Sequence, residues 1–296
     1  MHLYICIDDT DSKTSEKGTG AIAEELMEMV AERFGAKTTY ITRHQLLIHP
    51  DVPYTSHNSS MCFECDVPEE HYDQLIKDCF DHLQRESAEG SDPGLCVADA
   101  AKMDTDLLVK WGKECKRKVV TIKAAYETAE KAGVYLNEAG GTGQGVIGAV
   151  AGIGLRYWGN DGTLKGKPKD IEGNHRYTAG ELRATSLIED VVDMQDNQIP
   201  DGDAVYLEKK PKISLVGGKL AVIVEKQDES GVWQLLAKNK ARWHGGDLIF
   251  KEGCSEYKRD VEEECVSADD NNCYNCLYRR WLEDGILCQR PLEDKQ

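Results

Sequence analysis

The stretch that decides the fold is Leu3-Tyr4-Ile5-Cys6-Ile7-Asp8-Asp9-Thr10-Asp11-Ser12, close to the start of the sequence. Its first five residues are apolar or aromatic and of strand length, which predicts a buried β-strand. The strand then ends in three carboxylates within four residues. Because negative charges this close repel one another, they indicate a bound cation such as Mg²⁺, carried with a nucleotide phosphate. The alternative is that these residues form a turn and a helix cap, with Asx turns at Asp9 and Asp11.

A helix is predicted directly after the acidic loop. Gly18-Thr19-Gly20 leads into residues 21–34, where apolar side chains recur at helical spacing, and Gly35 follows as a stop signal. The pattern then predicts a strand over 38–48, in which His44 is either a hydrogen-bonded packing residue or a ligand. The elements predicted next are a strand over 61–67, a helix over 69–86, a strand over 95–98 and helices over 104–115 and 124–131.

A glycine-rich segment follows a short apolar strand predicted at 134–136. It reads Gly140-Gly141-Thr142-Gly143-Gln144-Gly145-Val146-Ile147-Gly148 and leads into a small-residue helix over 146–155. Glycines before a helix N-terminus leave backbone N–H groups open to an anion, so the segment is a candidate phosphate cradle. The alternative is that Gly148, Gly152 and Gly154 are glycines because another element packs closely against the helix.

Five short motifs follow one another along the chain. They are Ile7-Asp8-Asp9-Thr10-Asp11-Ser12, Gly18-Thr19, Pro53-Tyr54-Thr55 with Asn58, Gly90-Ser91-Asp92-Pro93-Gly94 and Gly145-Val146-Ile147-Gly148-Ala149. In this order they resemble the motifs of the archaeal tRNA 2-agmatinylcytidine synthetase family, which modifies an isoleucine tRNA. The resemblance covers about residues 1–190 and implies a kinase-like α/β domain with a ferredoxin-like insertion. The fold class expected is therefore α/β (α+β).

The resemblance also implies a reaction and a set of site residues. In that family ATP phosphorylates a carbonyl oxygen of a cytidine, and agmatine then displaces the phosphate. Carried over to this sequence, Asp8 and Asp9 hold Mg²⁺, Asp11 completes the catalytic carboxylates and Thr19 accepts phosphate. The residues expected to bind nucleotide or substrate are Thr10, Ser12, Asn58, Gly141, Gly143, Gly145 and Gly148.

The last third of the sequence is predicted to be rich in strands. Turn signals separate short strands over 204–207, 213–216, 220–225, 232–237 and 248–250, which favours a small OB-like barrel. The expected domains are a nucleotide-binding domain at 1–60 and 119–190, a ferredoxin-like insertion at 61–118, an OB-like module at 191–252 and a cysteine-rich tail at 253–296.

The eleven cysteines predict reduced thiols, because their number is odd and no basic-then-apolar signal pattern precedes them. A cytoplasmic location is therefore expected. Four of the five tail cysteines would suffice for Zn²⁺ or, as the second choice, for an iron–sulfur cluster. These tail cysteines are Cys254, Cys265, Cys273, Cys276 and Cys288. Cys62 and Cys65 also have ligand spacing, but on a regular strand they point to opposite faces.

The formal net charge of −17 counts against a polyanionic substrate such as tRNA and suits a cationic amine. Basic clusters nevertheless occur at 116–118, 165–169, 209–212, 238–242 and 279–280, and several on one face would bind a phosphate backbone. No apolar run is long enough to cross a membrane.

Three functions are compatible with these observations. The first is an ATP- and Mg²⁺-dependent ligase acting on tRNA, as the resemblance implies. The second is a paralogue that uses ATP on a small molecule without tRNA, which the acidic composition favours. The third is a non-catalytic metal-binding or assembly factor, in which the cysteine-rich tail is the working part.

Overall fold

The computed structural model describes residues 1–12, 15, 17–47, 49, 52, 58–226, 231–235, 254–255, 257–260, 265, 271–277, 279–282 and 285–288. The chain forms two compact units, one made of Met1–Leu47 and Pro53–Lys165 and the other of Ile48–Val52 and Gly166–Gln296. Helices and sheets occur together along the chain, so the predicted α/β fold class is confirmed. The division into four domains stays a prediction.

The first unit is a sheet with helices on both faces. Its elements are β1 (His2–Asp8), α1 (Thr19–Phe34), β2 (Lys37–Thr38), β3 (Thr42–Gln45), β4 (Ser59–Asp66), α2 (Tyr72–Glu86), β5 (Gly94–Asp99), α3 (Thr105–Cys115), α4 (Ile122–Ala132), β6 (Tyr135–Glu138), α5 (Gly145–Trp158) and β7 (Thr163–Leu164). The strands lie in the order β6-β5-β1-β4-β3-β7, with β2 also beside β4, and all these pairs are antiparallel. The two neighbours of β1 are thus β5 and β4.

Strand β1 anchors this unit because both of its faces are buried. Leu3, Ile5 and Ile7 belong to the core that α1 and α2 cover. Tyr4 and Cys6 belong to the core on the opposite face, formed with α3, α4 and α5. Burial of an aliphatic side chain of this size contributes roughly 1.5–3 kcal/mol, so β1 stabilises both cores at once. The buried strand predicted from the sequence is confirmed.

One predicted element of this unit is wrong. The continuous strand expected over 38–48 is divided into β2 and β3. Between them the ring of Tyr40 lies 4.2 Å from the guanidinium carbon of Arg156, a contact made outside the strand ladder. The other predicted strands and helices of the first unit are present with small shifts at their ends.

His44 is confirmed as a hydrogen-bonded packing residue of β3. It is fully buried, with Nδ1 3.2 Å from Asp161 Oδ1 and Nε2 2.8 Å from Thr42 Oγ1. Lys116 Nζ contacts the second carboxylate oxygen of Asp161 and donates to the Gln45 carbonyl at 2.9 Å. Burial lowers the pKa of His44, so the neutral ring donates from Nδ1 to the carboxylate and accepts from the threonine hydroxyl.

The second unit contains a mixed sheet. Its elements are β8 (His175–Thr178), α6 (Ala179–Arg183), β9 (Asp190–Val192), β10 (Ala204–Leu207), β11 (Ser214–Val216), β12 (Lys219–Lys226), β13 (Trp233–Leu235), β14 (Arg279–Leu282) and β15 (Gly285–Cys288). Strands β8, β10, β13, β12 and β11 are neighbours in that order, and β9 pairs with β12 in parallel. The strands predicted at 204–207, 213–216 and 220–225 are confirmed, and the described part of 232–237 contains β13. Residues 236–237 and 248–250 lie outside the described residues. The OB-fold stays a prediction.

The described helices include none that is long and apolar enough to span a bilayer.

Candidate active site

The carboxylates after β1 lie where β1, β5 and α5 meet. Asp8 ends β1 and is buried, and a methyl group added to Gly148 of α5 would overlap its Oδ2. Asp9 has a left-handed backbone with φ of 53°, which aspartate tolerates better than most residues. Its carbonyl accepts the Asp92 N–H at 3.1 Å, and the Thr10 carbonyl accepts the Ala88 N–H at 2.9 Å. These bonds attach the turn before β5 to the acidic loop.

The charges in this cluster oppose one another. Burial raises the pKa of Asp8 well above its usual range, and the charges of Asp9 and Asp11 add to the effect. Burial also raises the pKa of Asp9 to about 6, with further contributions from Asp92 and Asp11. Neighbouring carboxylates whose pKa values are raised by burial and by each other's charge mark a position where a cation would bind favourably.

Three buried hydroxyl groups, one just after β1 and two at the start of β4, have no hydrogen-bond partner in the part of the chain that the structure describes. They belong to Thr10, Ser59 and Ser60, which are at most 6% exposed. Ser60 adjoins Met61, which pairs with Ile7 in the β1–β4 register, so it lies beside Asp8. A buried hydroxyl without a partner costs about 1–3 kcal/mol, so such groups are usually satisfied by a ligand or an ordered water.

The glycine-rich segment reaches the same place. Gly145 begins α5, and its N–H donates to the Asp92 carbonyl at 2.9 Å. The Thr142 N–H donates to the Asp92 carboxylate, and a methyl group on Gly141 would overlap that carboxylate. Gly143 has φ of 84° and lies against the carboxylate of Glu138. The segment therefore contacts two carboxylates, those of Asp92 and Glu138, and its role as a phosphate cradle stays a prediction.

Close packing also explains several of these glycines. A methyl group on Gly152 would overlap Cys6 Sγ, and one on Gly154 would overlap the carbonyl oxygen of Leu108 in α3. A methyl group on Gly145 would overlap the Asp92 carbonyl oxygen. The two interpretations made from the sequence are thus compatible, because one helix packs closely and presents its N-terminus to the acidic cluster.

The remaining predicted site residues lie at varied positions. A methyl group added to Gly18 would lie 3.4 Å from Asp11 Oδ2. Thr19, which is buried, follows as the first residue of α1. The Ser12 N–H donates to the Ser15 hydroxyl at 3.1 Å in a local turn. Asn58 Nδ2 donates to the Leu47 carbonyl at 2.6 Å, and 53–55 lie outside the described residues. The assignment of roles to these residues stays a prediction.

Asp92 is the residue of this site that the sequence analysis did not assign to it. It lies in one of the five motifs, but its neighbours Ser91, Pro93 and Gly94 are typical of a plain turn. It reaches the site because β5 pairs with β1 and directs the turn before it towards Asp9. Its position in the same motif series as Asp8 was the available signal.

The cysteines divide between core and tail. Cys62 and Cys65 lie in the two cores on opposite faces of the sheet, as predicted, so they do not share an ion. In the tail the Cys276 N–H donates to the Cys273 carbonyl at 3.4 Å, and the Cys265 thiol lies 3.4 Å from the Asp260 carbonyl. The side chain of Cys288 lies outside the described residues. Among the side chains described, no three His, Cys, Asp or Glu groups are arranged to hold a metal ion.

The donor chemistry of the acidic cluster fits Mg²⁺ rather than Zn²⁺. It consists of carboxylate and hydroxyl oxygens, which are the ligands of a hard cation. Mg²⁺ needs only one or two protein carboxylates because it keeps several waters and binds substrate phosphates. Asp8 and Asp9 are the residues that would hold it.

Without divalent cations, Asp9 is expected to destabilise the fold as the pH rises from about 4 to about 6. Its folded pKa of about 6 exceeds the value of about 4 for an unfolded chain, so the folded state binds the proton more tightly. That advantage disappears as the pH rises through this window, at a cost of about 2 kcal/mol. Urea unfolding of the wild type and Asp9→Asn at both ends of the window measures the difference.

In this experiment Asp9→Asn is expected to be the more stable protein at pH 7 and to lose that advantage at low pH. Addition of Mg²⁺ at pH 7 should stabilise the wild type more than the variant. An identical pH dependence of the two proteins would contradict the raised pKa.

No family model matches this chain, and neither does any curated protein. Some solved structures are similar to part of it. A tRNA fluorescent labeling enzyme is 23% identical over 61% of this chain and 42% of its own, with a TM-score of 0.48. The complex of TiaS with an isoleucine tRNA and ATP is 22% identical over 68% of this chain and 50% of its own, with a TM-score of 0.48.

A second TiaS complex, with the same tRNA, AMPCPP and agmatine, gives 21% identity over the same shares, 68% and 50%, and a TM-score of 0.47. This chain spans half or less of the length of these proteins. Similarity at this level identifies no reaction, substrate or partner for the chain.

Proposed function

We propose that this chain is an ATP- and Mg²⁺-dependent enzyme of the ligase class that modifies RNA. The observation that carries the proposal is the acidic cluster of Asp8, Asp9 and Asp92 beside the N-terminus of α5, with unpartnered hydroxyls buried next to it among the described residues. The series of sequence motifs that begins with Asp8 and Asp9 supports the same function.

Each part of the site has a role in phosphoryl transfer, a reaction that needs mainly positioning and charge neutralisation. Asp8 and Asp9 would bind Mg²⁺, which neutralises the charge of the triphosphate when bound. The backbone N–H of Thr142 and the N-terminus of α5 would orient phosphate oxygens. Gly148 leaves the space in which the Asp8 carboxylate lies.

The reaction proposed has two steps. The phosphoryl group moves from ATP to a carbonyl oxygen of a base, and ADP leaves. An amine then attacks the activated carbon, and inorganic phosphate leaves with the former carbonyl oxygen. Agmatine is the amine that the family resemblance suggests, and a cationic amine suits the negative charge of the chain.

A basic surface in the second unit supports RNA as the substrate. Two clusters about 40 residues apart in sequence meet there, because Lys210 Nζ donates to the Pro168 carbonyl at 3.1 Å and Gly173 packs on the backbone of Lys209. The two segments that meet, 167–176 and 208–212, contain six basic and three acidic residues. The basic residues are Lys167, Lys169, Arg176, Lys209, Lys210 and Lys212, and the acidic residues are Asp170, Glu172 and Glu208. We call this set the lysine surface.

Aromatic rings lie next to the lysine surface. The rings of His175 and Tyr177 are 4.6 Å apart between centroids, and the Tyr206 hydroxyl donates to Asn174 Oδ1 at 2.7 Å. His175 is exposed, whereas Tyr177 and Tyr206 are half-buried. Positive charge next to accessible aromatic rings is typical of surfaces that bind single-stranded or looped RNA. The local excess of positive charge contrasts with the formal charge of −17 of the whole chain.

The test of the function is ATP turnover by the purified chain with Mg²⁺, with and without unfractionated tRNA and agmatine. We expect turnover that tRNA and the amine stimulate and that Asp9→Asn abolishes. If tRNA did not change the rate of ATP turnover, the substrate would be a small molecule and not RNA. If the chain did not bind ATP in the presence of Mg²⁺, the proposal of an ATP-dependent enzyme would be wrong.

Charge reversal of the lysine surface is expected to weaken tRNA binding. The double variant Lys167→Glu and Lys169→Glu should lose about tenfold in affinity or more. The slope of log affinity against log salt concentration should fall by an amount that corresponds to about two phosphate contacts. Filter binding at several salt concentrations measures both quantities. The matched control is Lys118→Glu with Lys123→Glu, which changes the charge equally in the first unit. Equal loss in both double variants would show that only net charge matters.

A further inference from the structure

We propose that Asp92 is a positioning residue that blocks the glycine-rich segment until a divalent cation draws its carboxylate towards Asp9. The proposal rests on the proposed function, because it concerns the same nucleotide site. It adds a coupling between cation and phosphate binding.

The first observation is the position of the Asp92 carboxylate. It accepts the N–H of Thr142, which lies in the exposed part of the segment before α5. Gly141, with φ of 66°, leaves room for it, since an added methyl group would overlap Oδ1. A backbone N–H of a glycine loop before a helix is where a phosphate oxygen binds in many proteins. The carboxylate therefore occupies an N–H group that a phosphate oxygen at this loop would need.

The second observation is the attachment of Asp92 to the acidic cluster. Its N–H donates to the Asp9 carbonyl at 3.1 Å, so its backbone is held next to the cluster. Rotation about its side-chain bonds is then sufficient to move the carboxylate from the glycine segment towards Asp9. The charge of Asp92 already contributes to the raised pKa of Asp9.

A third observation, independent of the charges, indicates that a ligand belongs here. The hydroxyls of Thr10, which follows Asp9, and of Ser60, which the β1–β4 register places beside Asp8, are buried and have no partner among the described residues. Groups of this kind are rare in a folded protein unless a ligand or an ordered water satisfies them.

The two positions of Asp92 have different charge requirements. Without a cation, repulsion from Asp9 favours the position against Thr142, which excludes phosphate. With a cation, attraction favours the position next to Asp9, and the Thr142 N–H becomes available. Cation and phosphate therefore bind with positive coupling, which must be reciprocal. ATP would bind tightly only as its magnesium complex.

The test combines two measurements on the full chain. The first is hydrogen exchange at the Thr142 amide with Mg²⁺ alone, which requires no ATP binding. In the wild type Mg²⁺ is expected to speed this exchange, because the carboxylate leaves the amide. In Asp92→Ala exchange should be fast with or without Mg²⁺. Exchange in the wild type that Mg²⁺ leaves unchanged would overturn the proposal.

The second measurement is the affinity for ATP with EDTA and with Mg²⁺. Asp92→Ala is expected to bind ATP about tenfold more tightly than the wild type in EDTA and to gain less from Mg²⁺. Asp92→Asn keeps an acceptor for the Thr142 N–H, so its gain in EDTA should be smaller. Asp11→Ala removes the same charge without touching Thr142 and controls for simple repulsion.

The outcomes separate the two proposals. If Asp92→Ala and Asp11→Ala gained equally in affinity for ATP in EDTA, Asp92 would act only through its charge. That result would overturn the proposal that it blocks the glycine-rich segment. A response of the Thr142 amide to Mg²⁺ in a chain that binds no ATP would support the movement of Asp92 and contradict the proposed function.

Discussion

Asp8→Asn is expected to lose Mg²⁺-dependent ATP turnover by about 100-fold or more while the folded chain becomes more stable. The loss follows because the amide cannot supply the negative charge that binds the cation. The gain in stability follows because burial raises the pKa of Asp8 well above its usual range. Above the unfolded pKa, a group with a raised folded pKa destabilises the fold increasingly as the pH rises, and the amide removes this penalty. Thermal unfolding at neutral pH without divalent cations, together with turnover assays, measures both effects.

Asp99 provides the matched control, since it also ends a strand of the same sheet and is 7% exposed, like Asp8. Although burial alone would raise the pKa of Asp99, the Ala101 N–H and Lys102 outweigh it and lower the value. Asp99→Asn is therefore expected to lose stability and to keep ATP turnover. A stability loss in Asp8→Asn similar to that of Asp99→Asn would show that Asp8 has a structural role instead.

Gly154→Ala is expected to destabilise the first unit by about 3 kcal/mol without changing turnover per folded molecule. The added methyl group would overlap the carbonyl oxygen of Leu108, a backbone atom that cannot move aside unless α3 and α5 separate. The better helix propensity of alanine offsets about 1 kcal/mol of the packing cost. Urea unfolding measures the loss.

Gly148→Ala is expected to have the opposite pattern. Its methyl group would overlap the carboxylate of Asp8 and lie 2.9 Å from Leu46 Cδ1. Both are side-chain atoms, which can shift more easily than the backbone at Gly154, so the cost to stability is expected to be smaller. Rotation removes the carboxylate from its place in the cluster, so turnover should fall by about tenfold or more. If both alanine variants lost stability and turnover equally, Gly148 would serve packing alone.

Several features of the fold could be predicted from the sequence because they depend on neighbouring residues. The buried strand before Asp8 and the helix ending at Gly35 follow from hydrophobic spacing and a stop signal, and both are present. The opposite orientation of Cys62 and Cys65 follows from the alternation of side chains along a strand.

Other features depend on contacts between distant segments, and no local pattern contains them. The break between β2 and β3 accompanies the contact of Tyr40 with Arg156 from α5. His44 is paired with Asp161, which lies 117 residues away in the sequence. The hydrogen bond from Lys210 to the Pro168 carbonyl brings together two basic clusters that are separate in the sequence.

The candidate site combines both kinds of information. By itself, the sequence determined that three carboxylates follow a buried strand and that a glycine-rich segment precedes a helix, because both are local patterns of residue type. Only the tertiary structure decided that Asp92 binds Thr142 while its backbone is attached to Asp9. The physical reason is that antiparallel pairing of β1 with β5, and packing of α5 on both strands, bring these three segments together.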